Sequence, residues 1–441
     1  MNGYRVAPLG VAIDAVVEVP GSKSIANRAL FCAALADGES VLSNVPDGDD
    51  TQSMLAALRT LGVEIEVIDQ AQSGESEVIS QQEWAPRGST VRVVGGRSRF
   101  APGPLTLQTG LAGTTSRFLT ALCGLGKGAY TIDGEPSLRS RPMGPLHHAM
   151  EELGARVHPI GAAGHLPVTI EGPFDFSNDE VSLPGDVSSQ FLTALMLVAP
   201  YFTAGLRFML STELVSRPYV RMTGSIMAHF GVPGVEVGDR IIVVPPGRYS
   251  AQHLVVEPDA SSAGYPLAAA AICGGRVTVP GLTKESIQGD ASFCHVLARM
   301  GCSVTQDDQA TTVARSGPLR GLTINMVEHS DLVPTLAAVA AFADGATEIH
   351  GVGFIRNKES DRLGDLCAEL RRAGVDAVDT ADGMIINPGP VQMATLATHH
   401  DHRLAMAFAL VGLGASGIVV DDPEVVSKSW PGYWSMIEGL R

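Results

Sequence analysis

The sequence predicts an α/β protein of two domains, each assembled from three copies of one mixed strand-and-helix unit. A short polar motif leading into an Ala/Leu-rich stretch of helical length occurs six times. Each stretch is followed by Gly, a β-rich strand, a second amphipathic segment and a further strand, the order expected of βαβ-containing subdomains. Two Pro/Gly breaks beside strand-like residues, Glu18-Val19-Pro20-Gly21 and Val244-Pro245-Pro246-Gly247, offer places for the chain to cross between domains.

The clearest copy runs from Gly21 through SKSIANRALFCAALADGESVLSNV to QSMLAALRTLG and VEIEVI. Later copies open at AGTTSRFLTALCGLGKGAYTI, SSQFLTALMLVAP, SSAGYPLAAAAICGGRVTV, SDLVPTLAAVAAFADGATEI and DHRLAMAFALVGLGASGIVV. With Ser22, Gly113, Ser189, Ser262, Asp331 and His402 as equivalent anchors, the steps are 91, 76, 73, 69 and 71 residues. These steps are longer than those of common solenoids, so six subdomains in two groups of three are expected. One domain is placed at 21–247. The other joins 1–20 to 248–441 and is discontinuous, with a double connection.

Composition narrows the function classes. Of 441 residues, 45% are apolar and 18% charged, enough to bury a core in each domain. The 31 basic and 47 acidic residues leave a net charge of −16, which argues against a nucleic-acid surface. No apolar run approaches the roughly 20 residues of a bilayer span, and the first residues lack a basic segment followed by an apolar one. A cytosolic protein is expected, with no membrane partner. Cys32, Cys123, Cys273, Cys294, Cys302 and Cys367 show no C-x-x-C spacing and are expected as small core residues.

Each polar motif falls at the start of its apolar helix, where free backbone N–H groups and the positive dipole end favour anions. Capping by Ser, Thr and Asp would explain a single motif. It does not explain the accompanying cations: Lys23 and Arg28, Arg117, Arg139 and Arg141, Arg356, Lys358 and Arg362, Arg403, and Lys428. Their recurrence in an acidic chain points to a strongly anionic ligand. In Lys358-Glu359-Ser360-Asp361-Arg362 a carboxylate shares an i, i+3 face with an arginine and could move a proton. Asp331 stands at a helix start and is readable as a cap.

Other signals fail. Gly412-Leu-Gly414-Ala-Ser-Gly417 matches G-x-G-x-x-G but follows a helix and precedes a strand, the reverse of the dinucleotide fingerprint, and no P-loop is present. His399, His400 and His402 have no acidic or Cys partner at metal-ligand spacing, so no metal is expected.

The motifs together resemble a known family. P-G-S-K-S-x-x-N-R (20–28), L-x-T-G-x-A-G-T (107–114), G-E-P-x-x-x-x-R-P (134–142), S-S-Q-F-L-T-A-L (188–195), S-R-P-Y (216–219), D-A-S-S-A (259–263), K-E-S-D-R (358–362) and D-H-R-x-A-M (401–406) are similar to those of EPSP synthases, in family order over nearly the whole chain. The resemblance implies a two-domain inverted α/β barrel of six βαβαββ repeats, acting as a monomer on small molecules without cofactor or metal. It implies transfer of the enolpyruvyl group of phosphoenolpyruvate to the 5-hydroxyl of shikimate-3-phosphate, with glyphosate taking the donor's place. By that resemblance Lys23, Ser24, Arg28, Ser188, Ser189, Gln190, Ser216, Tyr219, Asp331 and Lys358 hold shikimate-3-phosphate. Lys23, Gly113, Arg141, Gln190, Arg362, His402, Arg403 and Lys428 hold phosphoenolpyruvate, and Asp331, Glu359 and Lys23 handle protons.

Leu111, Phe118 and Phe354 depart from the family's pattern, the last where some members place an Asn against the shikimate phosphate. The nearest rival, the enolpyruvyl transferases acting on UDP-N-acetylglucosamine, carries a Cys in the loop here reading GEPSLRSRP, and none is present. A non-catalytic anion-binding protein would have no use for carboxylates among its cations.

Overall fold

Six helices buried on nearly every side begin at the six polar motifs: Lys23–Leu35, Gly113–Cys123, Ser189–Val198, Ala260–Cys273, Val333–Ala340 and His402–Gly414. A helix without a polar face must be a core element. In Ala260–Cys273 only Cys273 escapes burial, and in His402–Gly414 only Gly414 does. The computed structural model describes residues 3–68, 88–96 and 100–441, which divide into two units: 3–20 with 257–441, and the described residues between 21 and 256.

Within the unit spanning 21–256, Gly113–Cys123 packs against Ser189–Val198, and both touch Lys23–Leu35. Three four-stranded sheets accompany these helices. Leu105–Gln108 pairs in parallel with Gly128–Asp133, which pairs antiparallel with Val168–Gly172, itself antiparallel to Arg156–Pro159. The same order recurs in Glu180–Leu183, Leu206–Leu210, Ile241–Val244 and Glu236–Val237. It recurs again in His253–Val255, Gly38–Val45, Ser89–Gly95 and Glu64–Ile68. A parallel pair needs a crossover, and the buried helix supplies it in the two copies that are continuous in sequence.

The unit formed by 3–20 and 257–441 repeats this plan. Val333–Ala340 packs against both His402–Gly414 and Ala260–Cys273. The sheets are Ile13–Val16, Gly275–Pro280, Ala310–Arg315 and Ser303–Gln306; then Thr323–Asn325, Thr347–His350, Met384–Asn387 and Asp376–Asp379; and a three-stranded sheet of Ala394–Leu396, Ile418–Val420 and Tyr4–Arg5. Gly275, at φ +90°, starts the strand beside Ile13, and a Cβ there would strike the Ile13 backbone.

The boundary differs from the one expected at Gly247. His253–Val255 pairs in parallel with Val41–Ser43, so the chain stays in the first unit until Val256. Its three residues are too short and too exposed to announce a strand in sequence. Among the described residues no helix is long and apolar enough to cross a membrane. The G-x-G-x-x-G stretch ends the helix His402–Gly414 and precedes strand Ile418–Val420, as its context suggested.

Candidate active site

In the unit spanning 21–256 the cations gather around the first turns of the buried helices. Lys23 opens its helix behind the cap Ser22 and lies 2.8 Å from Asp50 Oδ2. Asp50 also gives its backbone carbonyl to Thr115 Oγ1 at 3.1 Å, which ties Lys23 to the helix starting at Gly113. Arg28 is buried and donates to Thr223 Oγ1 at 2.9 Å, to the Ser24 carbonyl at 2.8 Å and to the Tyr219 carbonyl at 3.3 Å. Its guanidinium lies over Phe118, 5.6 Å from the ring centre, and burial pushes its pKa down to about 10. Phe118, a departure from the family pattern, is therefore the floor under an anion-seeking cation.

Gly113 sits against Arg117 and Arg141. A Cβ on Gly113 would lie 2.5 Å from Nη1 of each. Arg117 donates to the Gly113 carbonyl at 2.8 Å and lies over Phe191, the neighbour of Gln190. Burial, and then Arg141, push Arg117 well below the usual guanidinium range. Ser188 Oγ accepts from Gln190 N at 3.3 Å, so it caps its helix. Ser189 is buried beside it, and Gln190 Oε1 is buried with no hydrogen-bond donor among the described residues. Ser216 is buried in the left-handed region at φ +53°, a costly backbone for serine, directly before the helix carrying Tyr219.

In the other unit Arg362 is the hub. Its Nε and Nη2 engage both oxygens of Asp401 at 2.7 and 3.2 Å, and its Nη1 donates to Asp331 Oδ1 at 3.0 Å. Burial opposes the charge, but Asp401, Asp331 and Glu359 outweigh it and raise the pKa further. Arg403 Nη2 donates to the other oxygen of Asp331 at 3.0 Å, and the Arg403 amide donates to Asp401, which caps its helix. Asp331 thus bridges two arginines rather than acting as the simple cap its position suggested.

Glu359 is surrounded by basic groups: His402 Nδ1 at 2.7 Å, Lys428 Nζ at 3.5 Å and Arg362 Nη2 at 3.9 Å. Burial alone would raise its pKa, yet His402, Lys428 and Arg362 hold it well below the usual carboxylate range. The i, i+3 pairing of Glu359 with Arg362 exists, but not on a helix. Asp361 accepts the amides of Leu363 and Gly364, so residues 358–363 bend before the helix Gly364–Arg372. Lys358 lies over the ring of Phe354 at 5.7 Å, so that departure gives Lys358 a platform.

Two cations of the sequence pattern are engaged elsewhere. Arg139 forms a forked pair with Asp133, and Arg356 is held by Asp361, Asp379 and the Thr380 carbonyl. The histidines, which lacked acidic partners by spacing, all gain one from the fold: Glu369 for His399, Asp422 for His400 and Glu359 for His402. Among the described residues Glu359, Asp401 and His402 form one cluster with metal-donor geometry. Arg362 and Lys428 already occupy its carboxylates, a charge balance suited to protons rather than a divalent ion.

Asp50 and Asp290 carried no signal of their own in sequence, and Asp401 appeared only as the first residue of the D-H-R motif. Asp290 is buried, accepts from Ser261 Oγ at 2.5 Å, and is pushed up by burial and by Asp331. The six cysteines form no disulfide, and five of them are buried.

Comparison with known proteins identifies the family. The sequence profile described as EPSP synthase (3-phosphoshikimate 1-carboxyvinyltransferase) matches residues 9–437. A protein of Nostoc punctiforme named 3-phosphoshikimate 1-carboxyvinyltransferase is 41% identical over 436 residues, covering 99% of this chain and 98% of that one. One of the same name from Shewanella loihica is 38% identical over 443 residues, with full coverage of both chains. A solved EPSP synthase of Acinetobacter baumannii shares the fold, with a TM-score of 0.78 at 24% identity over 99% of this chain and 98% of that one. Six related strand-and-helix units, cations at the starts of several of their buried helices and a match over nearly the full length lead to one assignment: the chain belongs to the EPSP synthase family.

Proposed function

We propose that this chain transfers the enolpyruvyl group of phosphoenolpyruvate to the 5-hydroxyl of shikimate-3-phosphate, releasing phosphate and 5-enolpyruvylshikimate-3-phosphate for chorismate and aromatic amino acid synthesis. It does so as a cytosolic monomer that needs no cofactor. Each substrate carries a carboxylate and a phosphate of about −1.5 to −2 charge, so the ligands demand a dense set of cations. Forked arginine contacts are the strongest form of that recognition.

Ser24, Arg28, Ser188, Ser189, Gln190, Ser216, Tyr219 and Lys358 recognise shikimate-3-phosphate. Lys23, Gly113, Arg141, Gln190, Arg362, Arg403 and Lys428 recognise phosphoenolpyruvate. The observation that carries the chemistry is Glu359, a carboxylate held 2.7 Å from His402 and 3.5 Å from Lys428. Asp331 takes the proton of the 5-hydroxyl as its oxygen bonds to C2 of the donor, while Glu359, passed a proton by His402, or else Lys23 protonates the methylene carbon. A tetrahedral intermediate results. Glu359, again a carboxylate, then removes a methyl proton as the C2–phosphate bond breaks, which restores the double bond.

Phosphate release measured with each substrate alone and with both tests this reading. Release only with both, with the enol ether product identified by NMR, is expected. Release with UDP-N-acetylglucosamine in place of shikimate-3-phosphate would overturn it.

A further inference from the structure

We propose that Arg117 is a second guanidinium for the phosphate of the donor, a positioning residue that forms a two-arginine clamp with Arg141 around the Gly113 backbone. The inference rests on the transferase reading above and adds to it a residue that the sequence motifs did not assign to the ligand.

A structural arginine buried to this degree would normally face a carboxylate, because an unpaired buried charge is costly and a guanidinium cannot shed its proton at ordinary pH. Arg117 is 3% exposed and faces another arginine instead. The Nη1 atoms of Arg117 and Arg141 each lie 2.5 Å from the point where a Gly113 Cβ would stand, so they are no more than twice that distance apart. Neither arginine has an ion pair among the described residues, and the Nε of each is buried without an acceptor there. A buried guanidinium beside a half-buried one is stable only while something anionic offsets them.

The local frame fixes Arg117 in that position. One Nη1 bond to the Gly113 carbonyl, 2.8 Å long, and the Phe191 ring 5.5 Å away hold the guanidinium, while Nε is left over. The same frame leads to the other donor-binding groups. Thr115, two residues before Arg117, bonds to the carbonyl of Asp50, whose carboxylate holds Lys23, and Phe191 follows Gln190. A phosphate dianion among Arg117, Arg141, Lys23 and Gln190 would receive the forked and single contacts that arginine and lysine each provide.

The test compares wild type with Arg117→Met, which keeps the apolar stem, and Arg117→Lys, which keeps the charge but loses the fork. Binding of inorganic phosphate and of phosphoenolpyruvate is measured by calorimetry, independently of turnover, alongside binding of shikimate-3-phosphate and KM and kcat for both substrates. The expected result is at least a tenfold loss of affinity for phosphate and phosphoenolpyruvate in Arg117→Met, a smaller loss in Arg117→Lys, and a change of less than about threefold for shikimate-3-phosphate. Unchanged phosphate affinity in either folded variant overturns the proposal. So does an equal loss for both substrates accompanied by a lowered melting temperature, which marks a structural arginine. If Arg117→Met does not fold, Arg117→Lys decides by the same criteria. If wild type binds phosphate but transfers no enolpyruvyl group, the transferase reading fails while the clamp is still judged by the binding data.

Discussion

His402 Nδ1 and Glu359 Oε2 stand 2.7 Å apart although 43 residues separate them in sequence. The pair joins the first residue of one buried helix to the bend that precedes another helix, and it sets the acid–base properties of the centre.

Glu359→Gln should preserve the binding of both substrates and lower turnover by at least about a hundredfold, the usual weight of general acid–base catalysis. Substrate affinities by calorimetry and kcat by phosphate release check it. Turnover within a few-fold of wild type would remove Glu359 from proton transfer.

The same carboxylate should give an acid-dependent stability. Its folded pKa lies well below the ordinary 4.5, so its charge stabilises the fold above that ordinary value. The contribution is lost as pH falls from 4.5 toward the lowered folded value. Urea unfolding between pH 7 and pH 3 should therefore show a shallower decline for Glu359→Gln than for wild type. Parallel curves would show that the carboxylate titrates alike in both states.

Gly113→Ala places a methyl group 2.5 Å from the Nη1 atoms of both Arg117 and Arg141. These atoms are the far ends of long side chains, so stability should change by about 1 kcal/mol or less, at the low end of overpacking costs. The arginines must move, and glyphosate, longer than phosphoenolpyruvate, should lose more affinity than the substrate does. Inhibition constants against varied phosphoenolpyruvate measure this. Equal constants in both proteins would mean that Gly113 does not shape the inhibitor's site.

Arg28→Met should weaken shikimate-3-phosphate by roughly 10- to 100-fold, the loss expected from one charge-assisted contact of about 1.5–3 kcal/mol. Thr223, Tyr219 and the ring of Phe118 fix this guanidinium, so the variant keeps its packing and loses its charge. Phosphoenolpyruvate binding should change far less, and calorimetry with each substrate separates the two effects.

Asp401→Ala removes the cap of the helix His402–Gly414 and both oxygens that neutralise buried Arg362. Breaking a buried pair from one side costs about 3–5 kcal/mol, so a large drop in urea midpoint is expected. Asp401→Asn, which retains an acceptor, should lose less.

The starts of the six buried helices were legible because a polar cap before an unbroken apolar run is a local pattern. Lys23, Arg28 and Arg403 stood out for the same reason, as cations in the first turns of those helices, while Arg141, Glu359 and Arg362 stood out as charged members of short motifs elsewhere. Asp50 and Asp290 did not, and Asp401 only as the first residue of the D-H-R motif, because an acidic residue in a helix's first turn looks alike whether it caps a backbone or pairs with a distant cation. Arg139 and Arg356 show the converse, since each met a carboxylate through folding and left the set of ligand-seeking groups.

The sequence by itself determined the repeat, the family and the chemical character of the centre, all carried by short-range order: period, caps and charge type. The tertiary structure alone decided which groups pair. His253–Val255, Ile13–Val16 and Tyr4–Arg5 complete sheets whose other strands lie far along the chain. Lys23 with Asp50, Arg362 with Asp401 and Glu359 with His402 are separated by 27, 39 and 43 residues. Hydrophobic burial fixes the positions of helices and sheets, and those positions then determine which charges meet at a distance where Coulomb energy exceeds the cost of losing water.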